Sequence, residues 1–180
     1  MIKKLQVKSF KSWEDTGSLQ FAPLTGFFGT NSSGKTSILQ LLLMLKQTVE
    51  SSDRKRVLHT GDNFSIVDLG TFSDLIHRPR TDAALQVSVS WDLLKTLKVK
   101  DPEQKDRNLF EIKDLKFDVE IREESGIPIV GRFSYSFDKT VFGMEPEAKK
   151  EGKKGKYDLL SEPHSQSRQQ PGRAWPLPSP

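Results

Sequence analysis

Gly29-Thr30-Asn31-Ser32-Ser33-Gly34-Lys35-Thr36 joins two apolar stretches of unlike rhythm, and the way it joins them decides how the chain folds. Two glycines five apart, followed by Lys and Thr, have the spacing of a phosphate-binding loop (a P-loop) when a strand precedes them and a helix follows. Residues 24–28, LTGFF, are mostly apolar on both sides, as a strand covered on both faces must be. Residues 35–49 are mostly good helix formers. Ile38, Leu39, Leu41, Leu42, Leu43, Met44 and Leu45 cover most of the circumference, which predicts a deeply buried helix.

Each loop residue has a physical reason to be there. Gly29 and Gly34 let the backbone take unusual dihedrals and approach a phosphate with no side chain in the way. The amides from about Asn31 to Thr36 then point inward as an anion nest at a helix N-terminus. Lys35 supplies a point charge for the β- and γ-phosphates, and the Thr36 hydroxyl is a magnesium ligand. The candidate nucleotide contacts are thus Gly29, Asn31, Ser32, Ser33, Gly34, Lys35, Thr36 and Ser37, with Ser37 chiefly a support of the first helical turn.

Working outward, residues 2–10 alternate Leu5, Val7 and Ser9 against Lys4, Gln6 and Lys8, a strand with one buried face, although Phe10 falls on the polar side. A short strand is expected at 19–21, another at 64–69, and a helical turn at 71–76 capped by Thr71 or Ser73. Leu85, Val87 and Val89 alternate with polar residues, as do Leu115, Phe117, Val119 and Ile121, and further strands are expected at 129–137 and 140–142. An antiparallel meander is the economical arrangement for them. The predicted class is therefore α/β, a P-loop NTPase lobe with an added antiparallel meander over residues 1–144 and a polar, disordered tail over 145–180.

The chain has 180 residues, 34% of them hydrophobic, enough for one modest core. Its formal charge of +4 owes much to Lys149, Lys150, Lys153, Lys154 and Lys156 in the tail, so no strongly basic face is expected in the folded part. There is no cysteine, which excludes disulfides and thiolate metal sites and suits a reducing cytoplasm. The apolar run 41–45 is far too short to span a bilayer, and a cytoplasmic protein with no membrane partner is expected.

The segment IKKLQVKSFKSW at 2–13, followed by LTGFFGTNSSGKTSILQLLLMLKQ at 24–47, resembles the N-terminus of AAA family ATPases of the RecF/SMC type, within the ABC-ATPase class. LKQTVESSD and VDLGTFSDLIH (67–77) are similar to a bacterial subfamily of uncharacterised ATPases with a C-terminal domain of unknown function. The resemblance is close over residues 1–91 and fades afterwards.

It implies ATP and magnesium as ligands, ATP hydrolysis in the intact relatives, and work on DNA or in defence against foreign DNA. It also makes Lys11 and Ser12 candidates for contacts near the base or ribose. The alternative for them is a strand-end turn with Phe10 and Trp13 packed into the core. His77, Asp68 and Asp74 carry no nameable chemistry, and a lone His is more often a surface or cap residue.

A hydrolytic site of that class needs an apolar strand ending in Asp-Glu and a second subunit's Leu-Ser-Gly-Gly segment. Leu160-Ser161-Glu162 lacks the glycines, and Glu123-Glu124 ends an alternating strand. The expectation is an N-terminal lobe without its catalytic half, completed by a homodimer or a partner chain. The other readings are a non-hydrolysing nucleotide sensor and a nucleic-acid-binding protein using its basic tail.

Overall fold

Strand β1 (Ile2–Phe10) is the axis about which the rest is arranged. Leu5 and Val7 are completely buried, as the alternation requires, and so is Phe10. Ser9 explains the irregular phase: its φ of +59° breaks the two-residue alternation just before Phe10. The computed structural model describes residues 1–53, 55–78, 83–101, 106–146 and 157–162.

A two-residue turn at Lys11 and Ser12 returns the chain to β2 (Trp13–Asp15), which pairs with β1 in the register Phe10↔Trp13. β3 (Leu19–Gln20) pairs with β1 at Lys4 and Leu5, and the Phe21 amide donates to the Lys3 carbonyl. The helix α1 (Lys35–Glu50) runs within one residue of its expected limits. α2 (Phe72–Leu75) is a single turn with Thr71 at its cap position, where the Asp74 carboxylate accepts from both the Thr71 amide and its hydroxyl.

The second half is the meander the alternation predicts, but with longer strands. β4 (Leu85–Lys100) and β5 (Asn108–Glu124) extend the short expected runs into a two-stranded arm, with a register shift between Asp92 and Leu97. β6 (Ile127–Phe137) and β7 (Thr140–Pro146) follow. β8 (Tyr157–Glu162) pairs with β7, so part of the expected disordered tail is an edge strand. The lysine cluster at 149–156 and the closing residues 163–180 lie outside the described residues.

The eight-stranded sheet has the order β2-β1-β4-β5-β6-β7-β8, with β3 also on β1, and every pairing in it is antiparallel. In place of the expected α/β lobe, the described residues form a wholly antiparallel sheet that carries one long helix and one helical turn. The core lies where Leu5, Val7, Phe10, Leu85, Val87 and Ile121 of the sheet meet Ile38, Leu41 and Met44 of α1, closed by Leu69, Phe72, Leu75 and Ile76. Burying one Leu or Ile side chain contributes about 1.5–3 kcal/mol.

Three expectations are corrected. Residues 24–28 form no strand: Leu24 is 91% and Phe28 94% exposed, because no strand among the described residues lies beside them to pair their backbone. Only Phe27 and Phe21 of this region pack towards the core, ring against ring at 6.2 Å. Residues 64–69 are also irregular, with Phe64 98% exposed, because Asp62 and Ser65 close a local turn in place of a ladder. Finally, α1 is buried on one face and not all round, since Leu39 and Val49 face outward.

Candidate functional site

The chain enters α1 through three residues of positive φ, Gly29 (146°), Ser32 (62°) and Gly34 (85°). A left-handed residue reverses the direction in which the next amide points, and alternating such residues with ordinary ones curls the backbone into a concave turn. Gly34 is the last residue before the helix and carries no side chain that could cap it. Its carbonyl accepts the Ser37 amide at 3.1 Å, the first bond of the helix, and Ser33 reaches back to the Thr30 carbonyl at 3.4 Å.

Among the described residues, the amides of Asn31, Ser32, Gly34, Lys35 and Thr36 find no acceptor. Free amides at the start of a sixteen-residue helix make a region of positive potential, which favours an anion. Lys35 adds a full charge. Its ammonium lies across the loop, donating to the carbonyls of Gly29 (2.8 Å) and Thr30 (2.5 Å) and to the Ser33 hydroxyl (3.4 Å). Thr36 is exposed next to it, whereas Ser37 is buried. Residues 29–34 therefore form one curled turn that leads into the helix at Lys35.

The turn between β1 and β2 touches this loop. A Cβ built on Gly34 would come within 2.7 Å of the Trp13 indole nitrogen and 3.2 Å of the Ser12 hydroxyl. The Trp13 Nε1–H donates to the Gly34 carbonyl at 3.1 Å. Ser12 is thus beside the loop, whereas the Lys11 ammonium reaches to α1. It donates to Gln40 Oε1 at 3.0 Å, in the second turn of α1. Trp13, a core residue only in the alternative reading of the Lys11–Ser12 turn, packs against the core and in addition bonds the loop. No local pattern could reveal a bond to a carbonyl 21 residues away.

The 67–77 segment, whose chemistry the sequence did not disclose, holds the same turn from its other side. The Lys11 amide donates to the Leu75 carbonyl at 2.6 Å, and the His77 amide to the Ser9 carbonyl at 3.2 Å. The Lys11 carbonyl lies 2.7 Å from His77 Nδ1, which must carry the proton because a carbonyl only accepts. His77 is a structural residue, in keeping with the plainer reading. Asp74 holds its proton less tightly than an ordinary carboxyl because Thr71 donates to it, with the Lys11 charge adding to the effect. Asp68 caps its own turn by accepting the Gly70 amide.

Among the described residues no group of three or more His, Asp or Glu is arranged to hold a metal ion. Glu123 and Glu124 end β5 at the hairpin into β6, paired with Pro128 and Ile127. β5 stands two strand spacings from β1 in the sheet, roughly 10 Å. Two shallow depressions on the sheet, one around Lys8, Gln86 and Arg132 and one around Lys3, Trp91 and Asp138, include none of residues 29–37. No described helix is long and apolar enough to cross a membrane.

No curated protein and no solved structure matches the chain. The family comparison does, and it covers the loop, the sheet and most of the tail: the model of the AAA ATPase domain matches residues 1–170. With all but the last ten residues accounted for, the chain belongs to the AAA ATPase domain family and is a nucleotide-binding, ATPase-like protein.

Proposed function

We propose that residues 29–37 bind the phosphates of ATP together with magnesium, and that the chain is the nucleotide-binding part of a RecF/SMC-like ATPase acting in DNA maintenance or defence. The observation that carries this reading is the start of α1, where free amides, the Lys35 ammonium and the exposed Thr36 hydroxyl meet in one glycine-flanked turn. The donor set fits the ligand: amides and an ammonium for phosphate oxygens, a hydroxyl for a hard cation. Lys35 would move from the loop carbonyls to the β- and γ-phosphates, Thr36 would hold the magnesium ion, and Ser12 would lie at the rim. Magnesium supplies neutralisation of the phosphate charge.

A second reading concerns turnover. No group of three or more His, Asp or Glu among the described residues is arranged to hold a metal ion, and positioning of phosphates without a group that orients water gives little rate gain. On this reading a second copy or a partner chain supplies that group, and the chain alone senses nucleotide. The uncovered residues Leu24 and Phe28, immediately before the loop, fit a surface that another polypeptide covers.

The decisive test is calorimetric titration of the protein with ATP in magnesium. Wild type is expected to bind and Lys35→Ala to lose the heat signal, with hydrolysis by the isolated chain near background. Equal binding by both proteins would remove the loop from the site.

A further inference from the structure

Trp13 is the feature of this region that the phosphate-loop reading does not use. A tryptophan has a large apolar body and one polar handle, and when the body is fixed by packing the handle goes where the surroundings allow. Here the body lies against the core and the handle ends on the Gly34 carbonyl. That carbonyl already accepts the Ser37 amide, so it takes two donors at the point where loop becomes helix. We propose that Trp13 is a positioning residue for the nucleotide: its indole N–H fixes the Gly34 peptide and with it the direction of the free amides around it.

The bond restrains a soft place. Gly34 has φ 85° and ψ 8°, a left-handed conformation that glycine leaves easily. Rotating its peptide plane would swing the Gly34 carbonyl and the Lys35 amide together, because they belong to one rigid unit. The Lys35 amide is one of the groups left free for a phosphate. An anchor on the carbonyl side therefore preorganises the donor side without touching the ligand.

The anchor is itself braced. Ser9 (φ 59°) and Lys11 (φ 47°) are both left-handed without being glycine. Such residues persist where the surroundings over-determine them. The bracing is visible in the bonds from residues 75–77 to Ser9 and Lys11, one of them from the His77 ring. The 67–77 segment thus acts on the loop through the β1–β2 turn and Trp13. This also gives Gly34 a second reason to be glycine, since a Cβ would displace the indole.

The inference rests on the phosphate-loop reading and is tested so that the two can fail separately. Trp13→Phe keeps a six-membered aromatic ring on the core and removes the N–H. It is expected to weaken magnesium-ATP binding about three- to tenfold, the effect of one hydrogen bond, in protein that still unfolds in one cooperative transition. In Trp91→Phe/Trp175→Phe protein, Trp13 is the sole tryptophan, and its emission is expected to shift on titration with magnesium-ATP at the midpoint found by calorimetry.

Unchanged affinity in Trp13→Phe, with binding still lost in Lys35→Ala, overturns the role of Trp13 and leaves the loop reading intact. No binding by wild type overturns both. If Trp13→Phe does not fold, the single-tryptophan protein decides: emission that stays constant at saturating nucleotide overturns the proposal.

Discussion

Asp62 illustrates how far a single exposed side chain in this protein can be organised by its neighbours. Its carboxylate accepts the Phe64 amide at 3.0 Å and the Ser65 hydroxyl at 2.8 Å, lies 3.0 Å from His59 Nε2, and has the Arg56 guanidinium at 3.7 Å. The Phe64 amide foremost, then the Ser65 hydroxyl and His59, favour the charged form and bring its pKa from 3.8 down to about 2. A depressed carboxylate pKa contributes stability that is present above the unfolded value and lost as pH falls through the folded one. Urea midpoints should therefore show wild type ahead of Asp62→Asn at about pH 6, with the gap closing between about pH 4 and pH 2. Parallel profiles for the two proteins would mean that the carboxylate is not held in this way. At this scale the sequence was informative where chemistry dictates residue type at fixed spacing, as in Gly29, Gly34, Lys35 and Thr36. It was silent on the bond from Trp13 to the loop and on Asp62, which depend on partners that no short pattern specifies.

Helix α1 shows at the level of elements why periodicity succeeds at one task and fails at another. Its limits were readable because the glycine before it and the polar run after it are local signals. Its burial was not, because Leu39 and Val49 are apolar yet face outward, and a count of leucines does not say which face has a partner. The same reason undid the strand expected at 24–28: its apolar pattern was read correctly, but a strand exists only beside another strand. Gln47 had no reason to stand out in the sequence, yet it ties α1 to the irregular segment after it. Buried to 5% exposure, it donates to the carbonyls of His59 (2.7 Å) and Val67 (3.0 Å) and accepts the Val67 amide (3.1 Å). Gln47→Leu keeps the size and leaves those backbone groups without partners, so a loss of about 2–4 kcal/mol is expected. Hydrogen exchange at Val67 should quicken with it, and an amide that stays protected in the variant would place the segment's support elsewhere.

For the whole molecule, the distribution of apolar surface separates what folds the chain from what the chain offers to others. The fold is held by the cluster between β1, β4, β5 and α1, in which Leu41 is completely buried. Leu24 and Phe28, close by in sequence and equally apolar, contribute nothing to that cluster. Truncating Leu41→Ala should cost about 2–5 kcal/mol through lost contacts and the cavity left behind. Replacing both Leu24 and Phe28 by Ser should change folding stability by less than about 0.5 kcal/mol, since neither gives up a buried contact. What the double variant should change is association: sedimentation of wild type at rising concentration is expected to show self-association that Leu24→Ser/Phe28→Ser reduces, because burying exposed apolar surface is the force that drives chains together. A double variant that unfolds as readily as Leu41→Ala would mean that residues 24–28 pack inside the protein after all, in the covered strand that their sequence alone suggests.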